Sequence, residues 1–181
     1  MDLSTENPIL FLDIDGVLNR LCGPQRTNSK GPIGLEKDLV DNLGVIMDNI
    51  PDLQIVISST WRICDMARLY AELKDKGFKY SDRIVATTPI TQERIRGFEV
   101  KQFLEENSIM HDNYAVVDDE VVDIEGHIPL NKTVHVSNAS GLKENSLFRV
   151  LRILGMDGSE AYSISYEEKE ETNERDVLKY L

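Results

Sequence analysis

The chain has 181 residues, 41% of them hydrophobic, which is enough for one domain with a real core and excludes wholesale disorder. No apolar run approaches the ~20 residues of a membrane span, and residues 1–7 lack the basic-then-apolar order of a secretory signal. A net charge of −12 argues against a long basic groove for duplex nucleic acid, and two cysteines are too few for a disulfide framework, so a reducing, cytoplasmic setting is expected.

In chain order, Ile9-Leu-Phe-Leu12 reads as a buried strand that runs into Asp13. Residues 19–34, with Gly23-Pro24, Gly31-Pro32 and Gly34, form the one long irregular stretch, a length typical of an active-site flap. Leu35, Leu39, Leu43, Ile46, Met47 and Ile50 recur at helical spacing, which predicts a helix over Leu35–Asn49 broken by Pro51-Asp52. Leu53–Ile57 is a second strand ending at Ser58-Ser59-Thr60. Met66, Leu69, Tyr70 and Leu73 line a helix that stops near Gly77. Ile84–Ala86 is a short strand, Phe98–Glu106 a helix opened by Gly97, Tyr114–Val117 a strand ending at Asp118-Asp119, and Thr133–Val136 another strand. Leu147, Val150, Leu151 and Leu154 mark a last helix closed by Gly155. Strands alternating with helices predict a three-layer α/β/α sandwich with a mainly parallel, Rossmann-like sheet. Residues 1–160 are read as one domain and 161–181 as an acidic tail or terminal helix, densest at Glu167–Glu171.

Three strands end in reactive polar clusters: Asp13-Ile-Asp15, Ser58-Ser59-Thr60 and Asp118-Asp119. An open α/β sheet binds ligands beyond the carboxyl ends of its strands, so the clusters can converge on one crevice. Strand alternation would put the Asp13 and Asp15 side chains on one side, where their repulsion invites a cation. Mg²⁺ takes carboxylate and phosphate oxygens, and Asp118 and Asp119 can add ligands. Ser59, or Ser58 as second choice, can bond a phosphate oxygen. Arg96 or Lys101 can neutralise the phosphate and keep the attacking aspartate ionised. An aspartyl-phosphate would then split hydrolysis into two displacements.

Phe11-Leu-Asp13-Ile-Asp15-Gly-Val-Leu18 resembles the first motif of the haloacid-dehalogenase (HAD) superfamily of phosphohydrolases, and the later serines and acidic pair fit its second and fourth motifs. Asp13–Asn19, Ser58-Ser-Thr-Trp-Arg62, Arg96-Gly-Phe-Glu-Val100, Val117-Asp-Asp119 and Gly141-Leu142 look like the phosphatase domains associated with RNA-repair proteins, over about 8–154. The resemblance implies Asp13 as nucleophile and metal ligand, and Asp15 as general acid/base with its backbone carbonyl on the metal. Asp118 and Asp119 would complete a Mg²⁺ site. The cation that directly precedes Gly in that group favours Arg96, whereas similarity to polynucleotide kinase-phosphatases favours Lys101. The short stretch between the first two motifs implies no large cap domain, and so an open site that admits a bulky substrate.

Other residues have less specific readings. Trp61 and Arg62 read either as substrate contacts or as core packing and a surface ion pair. Asn19 reads as a flap or water ligand, or as a structural residue. Asp123 is a candidate addition to the acidic cluster. His111, His127 and His135 lack metal-ligand spacing. The expected function is phosphomonoester hydrolysis on nucleotides or phosphorylated nucleic-acid ends. The alternatives are a small-metabolite phosphatase, a phosphotransferase, and a catalytically silent phosphate-binding module.

Overall fold

The run Ile9-Leu-Phe-Leu12 is uniformly apolar because it occupies the middle of a sheet covered on both faces. The computed structural model describes residues 2–22, 33–64, 66–110 and 112–156. The central strand β1 (Ile9–Leu12) is followed in chain order by β2 (Gln54–Ile57), β3 (Ile84–Thr87), β4 (Tyr114–Asp118) and β5 (Thr133–His135). All pairings are parallel, in the order β3-β2-β1-β4-β5. The sheet is thus Rossmann-like, and its strand order reverses between β1 and β4, where a doubly wound sheet opens its ligand crevice.

Alternation along β1 divides the core. Leu10 and Leu12 pack with Ile55, Ile57 and Val117 against α1 (Lys37–Asn49) and against α3 (Met66–Asp75), which follows the four-residue helix α2 (Trp61–Cys64). Ile9 and Phe11 pack with Val56 and Val116 against Val100 and Phe103 of α4 (Arg96–Glu106). The last helix, α5 (Glu144–Ile153), adds Leu147, Val150 and Leu151 to the first of these layers. Among the described residues no cap domain interrupts the sheet.

Helix ends differ from the periodicity for local reasons. Leu35 is buried but lies outside α1, because Glu36 is extended at the cap. The Glu36 N–H donates to Leu18 O at 2.9 Å, and its carboxylate accepts from the Arg20 N–H at 2.7 Å, so the chain is tied down before the helix begins. In the other direction, α4 starts at Arg96 rather than Phe98, because Ile95 is the extended residue that precedes it. The short helix α2 has no counterpart in the sequence reading, since four residues give no period to detect. Two 3₁₀ turns, Ser81–Arg83 and Leu130–Lys132, escape it for the same reason. The acidic tail, residues 23–32 of the flap and His111 lie outside the described residues.

Candidate active site

The ladder of the sheet extends one rung beyond the strands. The Asp13 N–H donates to Val117 O at 3.0 Å, Ser58 N–H to Leu12 O at 2.9 Å and Thr88 N–H to Ile57 O at 3.0 Å. The backbones that carry the first two reactive clusters are therefore fixed by the sheet itself. Beyond this rung the chain leaves β1 in a turn in which Leu18 N–H donates to Ile14 O at 2.8 Å. Strand alternation therefore carries through Asp13, and the turn after it sets the direction of Asp15. The two carboxylates have different partners, Arg96 for Asp13 and Asn19 and Trp61 for Asp15.

Asp13 is buried and faces α4, like Phe11 two residues before it. Arg96, the first residue of α4, places Nη1 2.9 Å from Asp13 Oδ1 and 3.4 Å from Asp118 Oδ2. Gly97 makes this reach possible. Its N–H donates to Asp123 O at 2.9 Å, and a Cβ there would sit 2.9 Å from that oxygen and 2.8 Å from His127 Cβ. Lys101 is not at the site. Five residues along the helix turns it about 140° away from Arg96, its side chain is 54% exposed, and its ionic partner is Glu105 at 3.8 Å.

Asp13, Asp118 and Asp119 each offer a carboxylate oxygen within 4.8 Å of the others. Asp118 is anchored by the Glu120 N–H, 2.8 Å from Oδ1. Gly16 packs against Asp119: a Cβ at this residue, whose φ is +74°, would fall 2.2 Å from Asp119 Oδ2. Asp123 is exposed and contributes a backbone carbonyl to Gly97 rather than a carboxylate to the cluster. His135 is exposed, with Nε2 3.0 Å from Asp119 O, and His127 is exposed beside the Phe98 ring.

The electrostatics reflect three acids around one guanidinium. Burial pushes the Asp13 carboxyl up to about 7, and the Asp118 charge adds to this. Arg96, the Ser59 hydroxyl and the Ile14 N–H act in the opposite direction. Burial likewise lifts Asp118 to about 6 against the pull of Arg96, and raises Asp119. Such a cluster is deficient in positive charge. Its donors are hard oxygens, the set a Mg²⁺ ion takes, so the residues present fit that cation.

Asp15 lies beside this cluster, where its charge adds to the rise of Asp119, but it has hydrogen-bond partners of its own. Asn19 Nδ2 donates to its Oδ1 at 2.8 Å and Trp61 Nε1 to its Oδ2 at 2.9 Å. Neither partner was identified from sequence as an Asp15 ligand. The four-residue spacing of Asp15 and Asn19 carries a signal, since one turn brings such side chains together. Trp61, 46 residues away, carries none. The two serines also differ. The Ser59 hydroxyl accepts the Trp61 N–H at 3.5 Å and favours the ionised form of Asp13, whereas the Ser58 hydroxyl is buried without a partner among the described residues. Arg62 is neither exposed nor a surface ion pair. It forms a buried pair with Glu99 at 2.5 Å and donates to Ser59 O at 2.7 Å, bracing the serine loop from below.

No helix among the described residues is long and apolar enough to cross a membrane. A search of curated proteins gives no match. A family model described as the HAD domain in Swiss Army Knife RNA repair proteins matches residues 9–147, which takes in every strand and all three reactive clusters. The chain therefore belongs to this family of HAD domains.

Proposed function

We propose that this chain is a Mg²⁺-dependent phosphomonoester hydrolase that forms an aspartyl-phosphate on Asp13 and acts on nucleotides or phosphorylated nucleic-acid ends. The observation that carries the reading is Arg96 bridging Asp13 and Asp118 at the sheet's switch point, with Asp15 held separately nearby. Asp13, Asp118 and Asp119 would hold the cation by side-chain oxygens and Asp15 by its backbone carbonyl. Bound there, Mg²⁺ supplies positive charge for the carboxylates and the phosphoryl oxygens.

The residues divide the chemistry as follows. An Asp13 carboxylate oxygen attacks phosphorus as the ester P–O bond breaks, and the Asp15 carboxyl gives its proton to the departing alkoxide oxygen. Asp15, now ionised, takes a proton from water. The resulting hydroxide bonds to phosphorus and expels the Asp13 carboxylate, which restores both acids and releases inorganic phosphate. Arg96 and the Ser59 hydroxyl, with Ser58 second, would bind phosphoryl oxygens and offset the charge that builds on them.

The substrate class rests on the RNA-repair context in the family's description and on a site with no cap among the described residues. The net charge of −12 favours a strand end over a tracked duplex, and it keeps a small-metabolite phosphatase as the second reading. The test is phosphate release with Mg²⁺ from a panel of nucleotides, 3′- and 5′-phosphorylated oligonucleotides and phosphometabolites. Asp13→Asn serves as the control, and mass spectrometry of a rapidly quenched reaction looks for phosphate on Asp13. Turnover of nucleotides or oligonucleotide ends that Asp13→Asn abolishes is the expected result. Turnover of metabolites alone selects the second reading, and no release from any substrate refutes both.

A further inference from the structure

The proposed reaction asks Asp15 to release and recover a proton, so its carboxyl must present a free acceptor direction toward the leaving oxygen. Each carboxylate oxygen has two such directions. Asn19 occupies one on Oδ1 and Trp61 one on Oδ2. The Asn19 amide cannot turn over without loss, because its Oδ1 accepts the Gly16 N–H at 3.0 Å and the side chain is fully buried. The indole is the second fixed point. Its N–H only donates, its ring is buried, and the bond it makes spans from the start of α2 to the turn after β1.

The indole has its own support. The Arg68 guanidinium lies over the ring, 4.4 Å from its centroid. Arg68 in turn bonds Glu72 at 2.6 Å and donates to Ile33 O at 2.5 Å, while the Leu35 N–H donates to the second Glu72 oxygen at 2.5 Å. The support is thus tied to residues 33–35, where the chain enters α1. Nothing in this arrangement serves the Asp13–Asp118–Asp119 cluster directly. Among the described residues the indole meets the chemistry through its hydrogen bond to Asp15, while the Trp61 backbone N–H, which a side-chain substitution leaves in place, donates to the Ser59 hydroxyl at 3.5 Å.

We infer that Trp61 is a positioning residue for Asp15, with Arg68 fixing the indole, so that the acid's free lone pairs face the leaving oxygen. The inference rests on the hydrolase reading above and on Asp15 as its acid/base. A positioning role has a signature that packing lacks: it matters most where the leaving oxygen needs a proton. An alkyl phosphate expels a strongly basic alkoxide. p-Nitrophenyl phosphate expels a weakly basic phenolate that can leave unprotonated.

The experiment compares kcat/KM for these two substrates, with Mg²⁺, in the wild-type chain and in Trp61→Phe, Arg68→Met and Asp15→Asn. Trp61→Phe keeps an aromatic ring in the pocket but removes the N–H donor together with the pyrrole part of the indole; the lost volume should slow both substrates alike, so the difference between them reads the donor. Since general acid catalysis contributes about 10²–10⁴-fold and depends on orientation, it should lower kcat/KM about tenfold or more on the alkyl phosphate and less than about threefold on the aryl one. Asp15→Asn should discriminate in the same sense and more strongly. Arg68→Met, on a partly exposed side chain, should do so by about threefold, and it carries the test if Trp61→Phe does not fold. Discrimination by Asp15→Asn, with both substrates slowed equally or not at all by Trp61→Phe and Arg68→Met, would overturn the inference and leave the hydrolase reading standing. Failure of Asp15→Asn itself to discriminate would remove the acid/base role on which the inference rests.

Discussion

Asp118→Asn should make the metal-free chain more stable at pH 8 while abolishing its response to Mg²⁺. In the folded chain Asp13 and Asp118 are raised from 3.8 to about 7 and about 6. Between about pH 4 and pH 7 the folded state therefore holds protons that the unfolded chain has released, so stability falls as pH rises through that window and is level above it. At about 1.4 kcal/mol per pH unit, the two displacements taken separately correspond to about 4 and about 3 kcal/mol. Repulsion between the two belongs to both and is counted once. Asparagine also gives up the 3.4 Å contact with Arg96. Removing the Asp118 charge alone should then recover about 1–3 kcal/mol at pH 8, or roughly 3–10 °C in Tm for a chain of this size. At pH 5, where the wild-type Asp118 is already protonated, the variant should match it. Thermal melts in EDTA at pH 5 and pH 8 measure this. Adding Mg²⁺ should raise the wild-type Tm more at pH 8 than at pH 5, because cation binding competes with protons, and should leave the variant unmoved. A wild-type Tm in EDTA that is the same at both pH values, together with a variant less stable at pH 8, would refute an excess of buried negative charge.

Arg96→Met should lower kcat/KM about 10²–10³-fold, the cost of losing a group that stabilises transition-state charge. Lys101→Ala should change it less than about twofold, because that side chain is exposed and turned away, and steady-state kinetics on one phosphomonoester distinguish the two. Gly16→Ala should destabilise the chain by about 1–2 kcal/mol through its positive φ and should weaken Mg²⁺ binding by displacing Asp119, as read by urea unfolding and calorimetric titration. Glu99→Ala should cost about 3–5 kcal/mol in urea unfolding by stranding the buried Arg62 charge. Arg62→Met/Glu99→Leu, which removes both charges, should be closer to the wild type, and a double variant as unstable as the single one would show that packing and not charge is at stake.

The local pattern of the sequence by itself determined the layers and the strand ends. Buried parallel strands must be apolar throughout, and helices that cover one face must repeat every three to four residues, so β1, β2, β4, α1 and α5 are legible without coordinates. Because parallel strands all point the same way, their polar ends had to share one edge, which brought Asp13, Ser58, Ser59, Asp118 and Asp119 into one neighbourhood before any distance was known. Only the tertiary structure decided between Arg96 and Lys101. Both lie on α4, and the choice turns on the phase of that helix against the sheet, which Gly97 sets by packing on residues 123–127. The partners of Asp15 were also beyond the sequence. The bond from Trp61 closes a loop of 46 residues, and neither periodicity nor motif spacing encodes which side chains meet across such a distance. The same holds for Arg62, whose burial against Glu99 is a property of how α2 meets α4 and of nothing local to either.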